Sequence, residues 1–189
     1  MADTKQRILD AARELFAAQG VQKTSLREIA DRLGISKPAL YYHFSSREDL
    51  VRTIVGPVID GGEEFIRKLE QQPEIDKRTV LEEYFDLHYQ HRGDIRLLLQ
   101  EISTLSDLGL IELVVAWRER IGVLLLGPEP SLAQSVRATM ALGGIQDCTI
   151  QFTDVPQDEL RKIAVDAAME LLGLEENPAG ENRTGPSAV

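Results

Sequence analysis

The residues best suited to contact chemistry are crowded into one short run, Lys37-Pro38-Ala39 and then Tyr41-Tyr42-His43 after Leu40. On a helix whose inner face is Leu40 and Phe44, all six lie on or near the solvent side. Exposing two tyrosines, a lysine and a histidine together is costly unless they meet a partner. Two partners suit these residue types. In a DNA major groove, Lys37 and the helix N-terminus would face phosphates or guanine acceptors, Ala39 a thymine methyl, and the tyrosine hydroxyls phosphates. The alternative is that Tyr41 and Tyr42 pack on a neighbouring helix.

A second group has the types for acid/base or metal chemistry: His88 and His91, with Glu83 and Asp86. A histidine pair at i, i+3 without a third ligand is a weak metal pattern, and no nucleophile motif accompanies it. Cys148 is the single cysteine, so neither an intramolecular disulfide nor a zinc cluster is expected. The chain is therefore read as a non-enzyme without cofactor or metal.

The elements that must position Lys37 to His43 are legible from capping signals. Apolar residues recur at spacings of three and four nearly throughout, which predicts an all-α chain of about nine helices. A first helix is expected over about 4–19, with Asp3 as cap, Gln6 in support and Gly20 as stop. Ser25-Leu26-Arg27-Glu28 is a capping box for a second helix that Gly34 ends. Ser36 caps the third, where Pro38 is tolerated in the first turn. Two short helices joined by Leu33-Gly34-Ile35-Ser36 have the form of a helix-turn-helix. Ser45-Ser46-Arg47-Glu48 is read as the capping box of a long fourth helix, which Gly56-Pro57 and Gly61-Gly62 should kink or interrupt. Further helices are expected at about 76–91, 94–103, 105–126, 131–151 and 157–173.

The run from Thr24 to Leu50, TSLREIADRLGISKPALYYHFSSREDL, closely resembles the DNA-binding signature of the TetR family of one-component transcriptional regulators. The likeness covers roughly residues 5–52. It implies a three-helix DNA-binding domain at 1–52, a helical ligand-binding and dimerisation domain at 53–174, and a disordered tail at 175–189. By position it assigns Ser25 and Arg27 to phosphate or outer-base contacts, and Ser36, Lys37, Pro38, Ala39, Tyr41, Tyr42 and His43 to the recognition helix and its start. Arg47 stands where the family usually has a phosphate-gripping lysine. Lys37-Pro38 replaces the family's common Gly-Thr-like start, so no base preference carries over.

In the body, Leu81, Tyr84, Phe85 and His88 share one helix face, and the segment from Leu108 to Trp117 is apolar nearly all round. These could line an apolar cavity with a few polar groups, the usual form of a small-molecule site. Tyr84, His88, Trp117 and Gln146 are the candidate ligand contacts; a satisfied buried histidine is the plainer reading of His88. A helix-turn-helix reads only a few base pairs, so a homodimer on an inverted-repeat operator is expected. Ala138, Ala141, Ile163, Ala167 and Glu170 are candidates for its interface, unless their stripes only complete the protomer core. An effector-responsive repressor is the leading reading. An activator of the same fold, or a module that docks on protein through Tyr41-Tyr42, is the alternative.

Charge divides at the same boundary. The whole chain carries 21 basic and 31 acidic residues, net −10, which excludes a uniformly basic nucleic-acid coat. Residues 1–52 hold nine basic and seven acidic residues, and 53–189 hold 12 and 24. The acid lies in the body. The N-terminus has no signal-peptide pattern and the most apolar stretch is broken by charges, so a cytoplasmic protein without a membrane span is expected.

Overall fold

In a computed structural model, residues 2–99, 106 and 109–174 are described. Among them are nine helices and no strand: α1 (Ala2–Gln19), α2 (Leu26–Leu33), α3 (Lys37–His43), α4 (Arg47–Glu70), α5 (Lys77–Gln90), α6 (Arg92–Leu99), α7 (Leu110–Leu126), α8 (Leu132–Gln151) and α9 (Gln157–Leu172). The all-α expectation holds. The expected tail at 175–189, Leu108 and the helix ends near 103 and 105 lie outside the described residues.

Several boundaries differ from the sequence reading, each for a local reason. Helix α1 already begins at Ala2, so Asp3 sits inside its first turn and does not precede it as a cap. The fourth helix is capped by Ser46, whose hydroxyl accepts from the Asp49 amide at 3.0 Å. Asp49, one residue beyond Glu48, has the short carboxylate that reaches back to the Ser45 amide at 2.9 Å. Helix α6 starts at Arg92, two residues before the expected 94, so Gly93 lies within it. Where the predicted cap chemistry is complete, the ends match. Ser25 and Glu28 form a reciprocal capping box, and Gly34 closes α2 in the left-handed region at φ 65°.

The expected interruption of α4 does not occur: the helix runs unbroken from Arg47 to Glu70 with Pro57 inside it. Pro57 forgoes one backbone bond, to the Thr53 carbonyl, and burial of Ile54, Val55, Phe65, Ile66 and Leu69 on the same helix offsets that loss. Gly62 is there for contact, not for bending. A Cβ at this position would lie 2.5 Å from the Trp117 ring of α7, so only glycine lets the two helices approach so closely.

Two apolar cores flank α4. The first joins Ile8, Ala12 and Phe16 of α1, Ile29 of α2, Leu40 and Phe44 around α3, and Leu50, Val51, Ile54 and Val55 of α4. It also takes in Leu97 of α6 and Leu110 of α7, so packing does not stop at residue 52. The second gathers Phe65, Ile66 and Leu69 of α4 with α5, α7, α8 and α9, where α9 packs along both α8 and α5. Head and body are further joined by Arg13 of α1, which donates to both oxygens of Asp94 on α6 at 2.8 and 3.4 Å. No helix among the described residues is long and apolar enough to cross a membrane.

Candidate functional site

The second helix of the pair, α3, is held by its buried residues and presents the rest. Leu40 is fully buried and Phe44 nearly so, which fixes the rotation of a helix of only seven residues. Ser36 accepts from the Ala39 amide at 3.3 Å and satisfies one of the free N-terminal donors. The outward face then carries Tyr42, 77% exposed, and Tyr41, 45% exposed, beside exposed Lys37 and Pro38 and half-buried Ala39 and His43. Tyr42 is too exposed to be packed on a neighbouring helix, while Tyr41 is about half covered. The side chains organise one another: Lys37 Nζ stands 5.5 Å from the Tyr41 ring centre, and Tyr42 meets His43 edge-on at 5.2 Å.

The flanking candidates are more constrained. Arg27 is largely exposed and 3.6 Å from Asp31 one turn on, so it is available. The Ser25 hydroxyl is committed to the capping box, donating to Glu28 at 2.8 Å. Those hydrogen bonds from the Ser25 amide and hydroxyl hold the Glu28 carboxyl below its ordinary range. Arg47 is turned inward: it donates to the Gln22 carbonyl at 2.8 Å and to Gln22 Oε1 at 2.9 Å, tying the start of α4 to the turn before α2. Lys5 was missed by sequence reasoning. Its ammonium lies 5.7 Å from the Phe44 ring, beside the end of α3, a position that spacing along α1 does not reveal.

In the body, three of the four candidate ligand residues converge. Tyr84 and His88 on α5 have ring centres 4.2 Å apart, and His88 Nδ1 lies 2.8 Å from the Tyr84 carbonyl. A carbonyl only accepts, so Nδ1 carries the proton and Nε2 is the acceptor. Burial pushes His88 down to about 4, aided by the charge of Arg118. Burial likewise pushes the Tyr84 phenol up, opposed by the charge of nearby Arg118. Gln146 on α8 accepts from Arg118 Nη2 at 2.9 Å. Arg118 was not among the residues singled out, because along the sequence it is one more charge on an amphipathic helix. Trp117 stands apart from this cluster, with its ring on Gly62 and its Nε1 donating to Glu63 at 2.6 Å. No set of three or more His, Cys, Asp or Glu among the described residues could hold a metal ion.

Residues 8–54 match the family model described as bacterial regulatory proteins, tetR family. The chain carries the TetR-family DNA-binding domain. Over 52 residues it is 48% identical to the HTH-type transcriptional regulator AcrR of Shigella flexneri, a stretch covering 28% of this chain and 24% of that protein. Over 101 residues it is 30% identical to the HTH-type transcriptional activator FasR of Mycolicibacterium smegmatis, covering 52% of this chain and 46% of that one. The matched stretches thus span less than half of these relatives. A transcriptional regulator of Aquifex aeolicus VF5 shares the fold across 89% of this chain and 99% of its own, with TM-score 0.71 at 22% identity. These relatives are described as transcriptional regulators.

With the TetR-type head located, the interface candidates sort by exposure. Ala138 and Ala141 are buried within the protomer, each 4% exposed, because α7, α5 and α9 cover that face of α8; they complete its core and are not free to meet a second chain. Ile163, Ala167 and Glu170, spaced along one face of α9, are exposed, Ile163 to 58%. On α8 the outward apolar residues are Leu132 at 81%, Val136 at 48% and Met140 at 59%.

Proposed function

We propose that this TetR-type protein is a transcriptional repressor that acts in the cytoplasm as a homodimer on an inverted-repeat operator, and leaves it when an apolar small molecule binds the body. The observation that carries this reading is the outward face of α3, where Tyr42, Tyr41 and Lys37 are exposed on a helix fixed by Leu40 and Phe44. A rigid, capped helix with aromatic and cationic side chains held outward is suited to entering a major groove. One such helix reads few base pairs, so two copies on half-sites about 34 Å apart supply the specificity. The exposed apolar residues of α8 and α9 support pairing through those helices, since such a face is costly in water when left open.

An effector acts by binding the released conformation better than the bound one. Trp117 on α7 rests against Gly62 of the same continuous helix whose start is fastened to the head by Arg47. Movement of the body at Trp117 is therefore carried along α4 toward the reading helix.

Selection from a random DNA pool tests the reading directly: an inverted repeat should be enriched, with affinity falling steeply as salt is raised. Enrichment of no inverted repeat overturns it. In vitro transcription from the selected site should fall on adding protein; a rise would favour the activator reading, the role named for the relative FasR.

A further inference from the structure

Of the half-buried arginines of the body, Arg92 donates to the Tyr89 carbonyl at 2.7 Å and lies over the Tyr89 ring, and most of the others are met by carboxylates. Arg78 pairs with Asp166 at 2.8 Å, Arg120 with Glu70 at 2.9 Å, and Arg161 with Asp86 at 3.1 Å. Arg118 is not. It is half-buried among α5, α7 and α8, and among the described residues no carboxylate lies within ion-pair distance of it. Its hydrogen-bond partner is neutral, the Gln146 side-chain oxygen at 2.9 Å, and the Tyr84 phenol lies near enough to feel its charge. Its Nε is buried without an acceptor; Arg161 shares that feature, but its terminal nitrogens pair with Glu82 and Asp86 and those of Arg118 meet no carboxylate. A cation so placed, in a region carrying twice as many acidic as basic residues, has no carboxylate in direct contact, although Asp147 on α8 lies near enough to act on Tyr84.

The surroundings define what could supply it. His88, with Nδ1 bonded to its own helix and its protonation suppressed by burial, adds an acceptor and no charge. Tyr84 adds a neutral phenol, Gln146 an amide and Phe65, 6.3 Å from the Tyr84 ring, an apolar wall. The site has one positive charge in planar, two-pronged form. That suits a planar monoanion; a phosphate would call for further donors of positive charge.

We propose that Arg118 is the anchor of an effector site for organic monocarboxylates with an apolar body, with Tyr84 and Gln146 orienting the guanidinium and the apolar part of the ligand lying toward Phe65. This rests on the reading of the body as an effector-binding domain and names the ligand class. The carboxylate replaces the missing counter-charge.

Calorimetry on the full chain with octanoate and benzoate, each against its primary amide, tests this. The acids should bind about tenfold or more tightly than octanamide and benzamide, because only they form the charge-assisted pair. Arg118→Gln should abolish the preference while keeping operator binding, and Arg118→Lys should keep part of it, since the charge stays and the fork is lost. Equal binding of acid and amide, no binding of any of the four, or a preference that survives in Arg118→Gln overturns the inference. Amides that bind and release the operator as well as the acids would leave the effector reading standing and remove only its ligand class. Failure of operator selection would instead strike the regulatory reading without touching the acid-over-amide comparison.

Discussion

Tyr42 and Arg47 show how differently two residues of one motif are held. Tyr42 is free to reach a groove, so Tyr42→Ala should cost about 1–3 kcal/mol of specific operator affinity in a titration while leaving the melting temperature nearly unchanged. An unchanged operator affinity would remove Tyr42 from the interface. Arg47 spends its guanidinium on Gln22, so its replacement by Ala should lower fold stability as well as DNA binding. His88 makes a separate prediction, in pH. Its folded value is depressed to about 4 from an ordinary 6.5, so the unfolded chain takes up the proton first. Stability should thus be full above about pH 6.5 and fall through pH 4, by up to about 3 kcal/mol from this group. In His88→Gln, denaturant midpoints should lose that part of the acid slope.

At the scale of elements, α4 is decisive, because it belongs to both cores. The paired substitutions Gly62→Ala and Gly56→Ala separate its two kinds of glycine. Added to Gly56, a methyl meets nothing within 4 Å, and the helix should gain about 0.5–1 kcal/mol. Added to Gly62, it strikes the Trp117 ring and should cost about 1–3 kcal/mol net. Thermal melts that move in the same direction for both would contradict the close α4–α7 approach. Glycines and Pro57 read along the sequence as breaks because local propensity disfavours them in helices. Tertiary burial of Ile54, Val55, Phe65 and Ile66 outweighs that propensity here.

For the whole molecule, the division of charge places the mildly positive end where the operator would lie and the acid away from it. Dimerisation is the property on which the whole reading depends. Ile163→Glu, placed in the exposed face of α9, should shift the protein to monomer in light scattering and weaken operator binding at least tenfold, while leaving the helical signal intact. A dimer that persists would move the interface elsewhere. The head, at net +2 over residues 1–52, can contribute only a few phosphate contacts per protomer, so the salt dependence should be that of two small heads and not of a basic coat.

The helices, the stops at Gly20 and Gly34, and the outward set from Lys37 to His43 were all legible along the chain, because caps, turns and a two-turn amphipathic helix are governed by residues within a few positions of one another. The same locality explains what was not legible. Whether Ala138 faces a second chain or its own core, whether Gly62 bends a helix or admits Trp117, and whether Arg118 meets a carboxylate depend on which distant residues arrive beside them. The carboxylates that neutralise Arg78, Arg120 and Arg161 come from other helices, up to 88 residues away in the case of Arg78 and Asp166. Spacing along one helix holds no record of that, and only packing of the chain against itself decides it.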